Sequence, residues 1–125
     1  DTYTIPTEKF KTEYDKAESE KKVQMNIDKF IQMVNRHDYK TSYNCIADGF
    51  KNNYFDTQDK FENYIKNAFF EYNNFEFENI EQKGNNLYTC TVTLTDLTGN
   101  SKDTKKITII MQLNDNYDFK MSFSV

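Results

Sequence analysis

The chain has 125 residues, enough for one folded domain with its own core and too few for two. Aromatic residues make up 16% of it, which excludes an intrinsically disordered protein even though 29% of the residues are charged. The net charge of −4 argues against a nucleic-acid or anionic-lipid partner, and no apolar run is long enough to span a bilayer.

Helical periodicity fills the first half of the chain. After an extended lead-in over residues 1–6, Thr7 is placed to cap a helix that continues to about residue 35. Its first half carries an apolar stripe on Phe10, Tyr14 and Ala17. The stripe of its second half points roughly 120° away, more than the ordinary drift of a helical pattern. The sequence therefore predicts either a break near residues 19–22 or two halves that face different surfaces.

Two shorter helices are predicted next. One covers residues 39–48, with Asp38 as its N-cap and Gly49 as its stop. The other covers residues 58–70 and is capped by Thr57. An irregular segment between them contains Phe50, Tyr54 and Phe55.

From residue 75 onward the apolar period changes from 3.6 to 2, which predicts strands. Turn signals at residues 84–86, 98–100 and 114–116 divide this region into four antiparallel strands. The last alternation runs from Tyr117 to Val125. In the first strand, Phe75, Phe77 and Ile80 do not share one parity, and a bulge there could turn Glu78 or Glu81 inward. The inward positions of the other three strands are Tyr88, Cys90, Val92, Leu94, Ile107, Ile109, Met111, Leu113, Tyr117, Phe119, Met121 and Phe123.

This order of elements predicts an α+β fold with three N-terminal helices on one face of an antiparallel sheet of at least four strands. The order, with the runs DYKTSYNCIA at 38–47, NNYF at 52–55 and YDFKMSFS at 117–124, resembles the nuclear transport factor 2-like (cystatin-like) superfamily. It is similar to extracytoplasmic domains of Gram-positive lipoproteins and conjugation assembly proteins. The resemblance covers residues 22–125. It implies a curved, cone-shaped sheet, and it makes residues 1–21 a partly helical extension or linker from a missing membrane anchor.

Enzymes of that superfamily place acids, bases and hydroxyl donors inside the cone. None of the inward strand positions here is ionisable at neutral pH, so the sequence predicts no catalytic residues. A pocket for a small apolar ligand is the alternative, and it would be lined by Tyr43, Phe69, Tyr88, Cys90, Val92, Met111, Tyr117, Phe119 and Met121. Partner contacts are expected at Phe10 and Tyr14 and on the outer sheet face, where Ile110 is the one large apolar residue among Thr89, Thr91, Thr93, Lys106 and Thr108.

Other reactive side chains are few. His37 and Asp38 could form an acid–base pair, but an exposed turn histidine is the simpler interpretation. Cys45 and Cys90 are expected to be two small buried residues, with a single long-range disulfide or a reactive thiol as the alternatives. No metal-ligand spacing and no phosphate loop is present in the sequence, so no metal site or cofactor is expected.

Three functions remain open. The leading hypothesis is a non-catalytic binding or assembly module, tethered outside the membrane, with a protein partner or a second copy of itself. A VirB-type assembly factor of conjugative secretion is one specific form of it. The second is a binder of a small apolar ligand. The third is an isomerase-like or dehydratase-like enzyme, which requires Glu78, Glu81 or His37 to face a pocket. A cytoplasmic location stays possible for all of them.

Overall fold

The computed structural model describes residues 7–124, in which five helices precede a four-stranded antiparallel sheet. The helices are α1 (Glu8–Lys16), α2 (Ser19–Asn35), α3 (Tyr39–Asn44), α4 (Asp48–Tyr54) and α5 (Gln58–Ala68). The strands are β1 (Asn73–Gly84), β2 (Leu87–Asp96), β3 (Thr104–Leu113) and β4 (Phe119–Phe123), and they pair in that order. The α+β class and the four antiparallel strands are thus confirmed. The predicted lead-in over residues 1–6 and the final Val125 lie outside the described residues.

The long N-terminal helix is broken, which is one of the two arrangements that its apolar stripes left open. Ala17 and Glu18 adopt extended backbone angles between α1 and α2, two residues before the expected break. Thr7 caps α1 by accepting a hydrogen bond from the Phe10 amide at 3.2 Å. The break turns the Tyr14 side of α1 and the Val23 side of α2 toward the same interior, since both side chains are buried.

The region between α2 and α5 contains two helices where the sequence predicted one. Asp38 caps α3 through the Thr41 amide as expected, but α3 ends at Asn44. Ile46 then pairs with Met121 of β4 as a short parallel bridge, which the helical prediction for residues 39–48 had missed. Gly49 does not stop a helix. It lies inside α4, with open space where a side chain would be.

The sheet is a simple meander, and β1 contains the predicted bulge. Its register with β2 shifts between Phe77 and Asn79, which leaves Glu78 as the extra residue. Because of this shift, Phe77 lies opposite Val92 and Ile80 lies opposite Cys90, so both sides of the bulge present apolar residues to the inner face. The extra residue places Phe75, Phe77 and Ile80 on the same face of the sheet, and neither Glu78 nor Glu81 points inward.

The last strand begins later than the alternation suggests. Tyr117 was expected on the inward face of this strand, but it lies in the β3–β4 turn with φ +64°, and β4 begins at Phe119. Asn116, with φ +59°, shares the left-handed conformation. Two consecutive left-handed residues reverse the chain direction, and they take Tyr117 out of the strand.

The hydrophobic core lies between the inner face of the sheet and helices α2 and α5. Phe30 of α2, Phe69 after α5 and Phe123 of β4 are fully buried, and their ring centroids are 6.1 to 6.4 Å apart. Such spacings suit edge-to-face and tilted aromatic packing. The inner-face residues of β2, β3 and β4 are also buried, so the helices cover these three strands.

Candidate functional site

The corner between α2 and α3 places a histidine in a strained position. His37 has φ +58°, and its amide donates to the Val34 carbonyl at 2.9 Å. The next amide, that of Asp38, donates to the Met33 carbonyl at 3.0 Å. This pair of bonds is the Schellman motif that ends many helices, in which glycine is the usual residue at the left-handed position. A histidine there costs stability, and such strain is often associated with function.

The ring of His37 faces the chain that enters the sheet. Its Nε2 lies 3.2 Å from the Glu71 carbonyl oxygen. A carbonyl only accepts hydrogen bonds, so this bond requires the proton on Nε2. The ring centroid is 5.2 Å from that of Tyr72 and 6.2 Å from that of Tyr39. His37 therefore links the α2–α3 corner to the segment between α5 and β1.

A pair of asparagines fixes the distance between these two segments. Asn35 Oδ1 accepts from the Asn73 amide at 2.8 Å and from Asn73 Nδ2 at 3.0 Å. Asn35 Nδ2 donates in return to the Asn73 carbonyl at 3.1 Å. Asn73 also closes the α5–β1 turn, because its Oδ1 accepts from the Phe70 amide at 2.8 Å. The end of α2 and the start of β1 are thus joined by side chains rather than by a sheet ladder.

A cleft of about 400 Å³ opens between these segments and α5. Val34 and Ile65, both buried in the core, form its floor. Polar and aromatic side chains form its walls: His37, Tyr39, Lys66, Phe70 and Glu71. An apolar floor with a few polar groups around it is the usual composition of a binding cleft.

Large apolar side chains continue from the cleft onto the surface. Tyr72 is 38% exposed and Leu97, in the turn after β2, is 52% exposed. They are neighbours, because the Leu97 amide donates to the Tyr72 carbonyl at 3.0 Å. We call the group His37, Tyr39, Phe70, Tyr72 and Leu97 the aromatic rim. Exposed apolar and aromatic residues grouped on one part of a surface are typical of an interaction site.

Charges of both signs border the aromatic rim. Burial raises the pKa of the Tyr39 hydroxyl, and the nearby carboxylates of Glu62 and Glu71 add to this effect. Lys66 Nζ lies 5.8 Å from the centre of the Tyr39 ring, within range of a weak cation–π contact. Tyr39 therefore remains a neutral hydrogen-bond donor throughout the physiological pH range.

The residues predicted to line a cone pocket are placed mainly in the core. Seven of the nine are at most 4% exposed and contact the helices: Phe69, Tyr88, Cys90, Val92, Met111, Phe119 and Met121. Tyr43 is half-buried, and its hydroxyl donates to the Phe55 carbonyl. Tyr117 instead borders a groove of about 300 Å³ between α1 and the β3–β4 turn. None of the other eight residues borders the 400 Å³ cleft beside His37.

The stripe on α1 is not a free surface. Tyr14 is only 5% exposed, and its hydroxyl accepts a hydrogen bond from the side-chain Nδ2 of the buried Asn26 at 3.1 Å. Its ring packs edge-on against Tyr117 at 5.5 Å and stacks on Phe10 at 5.6 Å. The expectation that Phe10 and Tyr14 contact a partner is therefore corrected for Tyr14, which attaches α1 to its own domain. Phe10 remains half-buried.

The outer face of the sheet has the predicted polar character. Ile110 is half-buried there, opposite Thr89 of β2 and Ser122 of β4. The hydroxyls of Thr91 and Thr108 lie 3.2 Å apart and form a cross-strand hydrogen bond. Ile110 is thus a single apolar residue in a hydroxyl-rich surface.

The three side chains on which the enzyme hypothesis depends lie at the surface. Glu78 points outward and pairs with Lys106 at 3.2 Å, and Glu81 pairs with Lys83 at 2.7 Å. His37 is exposed and borders the 400 Å³ cleft, so it meets the condition that the enzyme hypothesis set. Asp38 turns the other way to cap α3, so the adjacent His and Asp do not face one reacting atom. Within residues 7–124 there is no cluster of three or more His, Cys, Asp or Glu suited to a metal ion.

Both cysteines are free thiols. Burial raises the pKa of Cys45 and of Cys90 to about 11, so each remains protonated at neutral pH. A protonated thiol is a poor nucleophile and a poor metal ligand. The structure agrees with the expectation of small buried residues for Cys90, while Cys45 is partly exposed at the end of α3.

The aromatic rim was not identified from the sequence. Tyr72 and Leu97 fall in turns, where periodicity gives no information. The available signal was an aromatic residue in a turn beside Asn73–Asn74, and an apolar residue inside the Asp96–Gly99 turn. Single exposed apolar residues are common, and only the fold places these two together.

Comparisons of the chain with protein-family models, with curated proteins and with solved structures found no match. Among residues 7–124, no helix combines the length and the apolar character needed to cross a bilayer.

Proposed function

We propose that this chain is a non-catalytic protein-binding or assembly module and that the aromatic rim is its contact surface. The observation that carries the proposal is the position of Tyr72 and Leu97, two large exposed hydrophobic residues. Their segments share a backbone hydrogen bond, and the Tyr72 ring packs against His37 at the edge of the 400 Å³ cleft. Tyrosine is enriched at the energetic centres of protein interfaces, because one ring combines a large apolar area with a hydroxyl.

The geometry of the cleft favours a partner that inserts a side chain. Its floor of Val34 and Ile65 offers apolar contact, and the Tyr39 hydroxyl and Lys66 offer hydrogen bonds at the edge. Asn35 and Asn73 hold the walls in place before any partner arrives. A preformed cleft binds more tightly than one that must be ordered on binding.

The proposal includes a nuclear transport factor 2-like fold and a location outside the membrane, held there by an N-terminal anchor. The order of helices first and a four-stranded meander second supports the fold assignment. A VirB-type role in conjugative secretion is the most specific form of the assembly function. The runs at 38–47, 52–55 and 117–124 support the likeness to extracytoplasmic domains of this fold, a fold that also occurs in VirB-type factors.

The non-catalytic character of the proposal rests on the state of the reactive groups. The two thiols have a pKa of about 11, and Glu78 and Glu81 are held in ion pairs on the outer face. His37 borders the cleft, but the adjacent Asp38 caps α3 and does not act as its acid–base partner. Nearby donors lower the pKa of Glu78, first the Thr93 hydroxyl and then Lys106. A carboxylate stabilised in its charged form is a weak general base.

A second candidate function is the binding of a small molecule in the same cleft. The volume of about 400 Å³ falls in the range of small-ligand sites, about 300 to 1,000 Å³. The candidate site for a small ligand is therefore the surface cleft between α2 and α5, because core side chains fill the interior of the sheet.

Site-specific photo-crosslinking tests the protein-binding function. A photoreactive amino acid replaces Leu97 in the rim, and in a control variant it replaces Tyr54, which is 49% exposed on α4. Both variants are produced in the cells that make the protein, and covalent adducts are identified by mass spectrometry. We expect one dominant protein adduct from position 97 that is missing from position 54. Crosslinking to a second copy of the chain would identify self-association as the assembly.

Equal adduct patterns at the two positions, or no protein adduct at position 97, would contradict the proposal. Binding of a small molecule alone has a different signature. In that case a ligand released from the denatured protein is found by mass spectrometry, and no protein is crosslinked at position 97.

A further inference from the structure

The two edges of the sheet differ in what lies beside them. At the β4 edge, residues 45–47 lie alongside Met121. Its amide donates to the Cys45 carbonyl at 2.9 Å, and its carbonyl accepts from the Ala47 amide at 2.8 Å. At the other edge, β1 is twelve residues long, and among residues 7–124 no strand pairs with its outer side. A long open edge is a template for an added strand.

The two faces of β1 have opposite chemistry. Phe75, Phe77 and Ile80 lie on the inner face and are only partly buried, although they contact the core. They are therefore the margin of the apolar layer that the helices leave incompletely covered. A strand added beside β1 would extend this layer with its own apolar side chains.

The outer face of β1 is acidic. Glu76, Glu78 and Glu81 lie on this strand, where Glu78 forms an ion pair with Lys106 of β3 and Glu81 forms one with Lys83. Glu76 has no ion pair within residues 7–124, and Glu76 and Glu81 lie opposite threonines of β2. Charges and a bulge on an edge strand discourage unselective pairing, and they permit pairing with a strand of complementary charge.

We propose that the free edge of β1 binds an extended segment of a partner protein in which apolar and basic residues alternate. Its apolar residues would lie beside Phe75, Phe77 and Ile80. One of its basic residues would pair with Glu76, which has no ion pair within residues 7–124, and others would approach the ion pairs of Glu78 and Glu81. A second copy of this chain is disfavoured at this edge, because β1 against β1 would bring glutamates together in two chains that each carry a net charge of −4. The edge is distinct from the aromatic rim and extends the proposed function to a second contact surface.

Peptide titration followed by amide NMR tests this inference. The probes are a short synthetic peptide that alternates Lys and Val, a peptide of the same composition with the lysines in one block, and a peptide that alternates Glu and Val. We expect the alternating Lys–Val peptide to shift the amide signals of residues 74–82 and to slow their hydrogen exchange. Glu76→Lys should weaken this binding about fivefold, whereas Glu13→Lys, an equal charge change at an exposed site on α1, should not.

Equal binding of the block peptide would contradict the strand geometry, and equal binding of the Glu–Val peptide would contradict the charge selection. Shifts confined to residues outside β1 would contradict the proposed edge. Tyr72→Ala should leave the peptide affinity unchanged, so this inference and the role of the aromatic rim can fail separately.

Discussion

Asn35 and Asn73 exchange three hydrogen bonds, and through them the last residue of α2 holds the first residue of β1. The side chain of Asn73 is almost fully buried, at 3% exposure. A buried amide with all its partners present defines one arrangement of the surrounding chain, because any shift leaves polar atoms without hydrogen bonds. The pair therefore fixes the end of α2 relative to the start of β1, near the cleft that His37 lines.

Asn73→Ala is therefore expected to destabilise the fold by about 3 kcal/mol, since it removes several hydrogen bonds and leaves buried partners unsatisfied. Urea unfolding followed by circular dichroism measures the change. Asn35→Asp keeps the oxygen that accepts from the Asn73 amide and should cost less than Asn35→Ala. Asn52→Ala, at an exposed position on α4, serves as the control. A loss no larger than that of Asn52→Ala would show that the pair is not structural.

The left-handed backbone of His37 makes a separate prediction. His37→Gly and His37→Ala both remove the ring, but only glycine adopts φ +58° without steric cost. His37→Gly should consequently be more stable than His37→Ala by about 1 kcal/mol. Thermal or urea unfolding of the two variants gives the difference directly. Equal stabilities would mean that the α2–α3 corner has no left-handed residue.

Because the Lys29 side chain is buried, we expect the stability of the fold to depend on pH. This lysine of α2 is 6% exposed, and its Nζ lies 4.5 Å from the centre of the Phe10 ring and 5.4 Å from that of Phe119. Burial lowers the pKa of Lys29 below its ordinary 10.5, because the charged form loses its hydration. The unfolded chain binds the proton more tightly, so the buried ammonium destabilises the fold at low and neutral pH. This cost disappears as the pH rises through the folded-state pKa toward 10.5.

Lys29→Met removes the ionisable group and keeps the length of the side chain. We expect the variant to be at least as stable as the wild type at pH 7. As the pH rises, the free energy of unfolding of the wild type should increase relative to that of the variant. Stability curves of both proteins, measured by urea unfolding between neutral pH and pH 10, provide the comparison. A stability difference that is independent of pH would exclude a lowered Lys29 pKa.

The two buried thiols should make the stability of the fold decrease, rather than increase, as the pH becomes alkaline. Their folded-state pKa of about 11 exceeds the ordinary value of 9.0, so the folded protein binds more protons than the unfolded chain between these values. Stability contributed by the two thiols is complete below pH 9 and is lost as the pH rises toward 11. Because the charge of Lys29 lowers the pKa of Cys45, the Lys29→Met comparison is made in a Cys45→Ser background, where this coupling is absent.

Thiol labelling checks the burial of Cys90 directly. In a Cys45→Ser variant, an aromatic disulfide reagent at pH 8 should modify Cys90 only as fast as the protein opens, since the side chain is 1% exposed and protonated. The same variant in denaturant should react at once. Rapid labelling of the native variant would contradict the placement of Cys90 on the inner sheet face.

Much of the fold could be predicted from local sequence signals. The caps at Thr7, Asp38 and Thr57 follow from side chains that compete for free helical amides. The strand faces follow from a two-residue period, and even the bulge follows from the broken parity of Phe75, Phe77 and Ile80. These features depend on neighbours along the chain and can be read without the tertiary structure.

The remainder depends on contacts between distant residues. The sequence placed Tyr14 on an apolar stripe available to a partner, because its actual contacts, Asn26 and Tyr117, lie in other elements. The end of α3 is decided by the pairing of Ile46 with β4 rather than by helix propensity. The candidate site has the same origin, since Tyr72 and Leu97 are neighbours only after the sheet has formed.

Partner affinity tests the role of the aromatic rim most directly. Once the protein crosslinked at position 97 has been purified, calorimetry compares its affinity for the wild type, for Tyr72→Ala and for Tyr54→Ala. Both tyrosines are exposed, so neither substitution should unfold the protein. A central role for the rim predicts that Tyr72→Ala weakens binding by about tenfold or more and that Tyr54→Ala changes it little. Equal affinities of the two variants would contradict it.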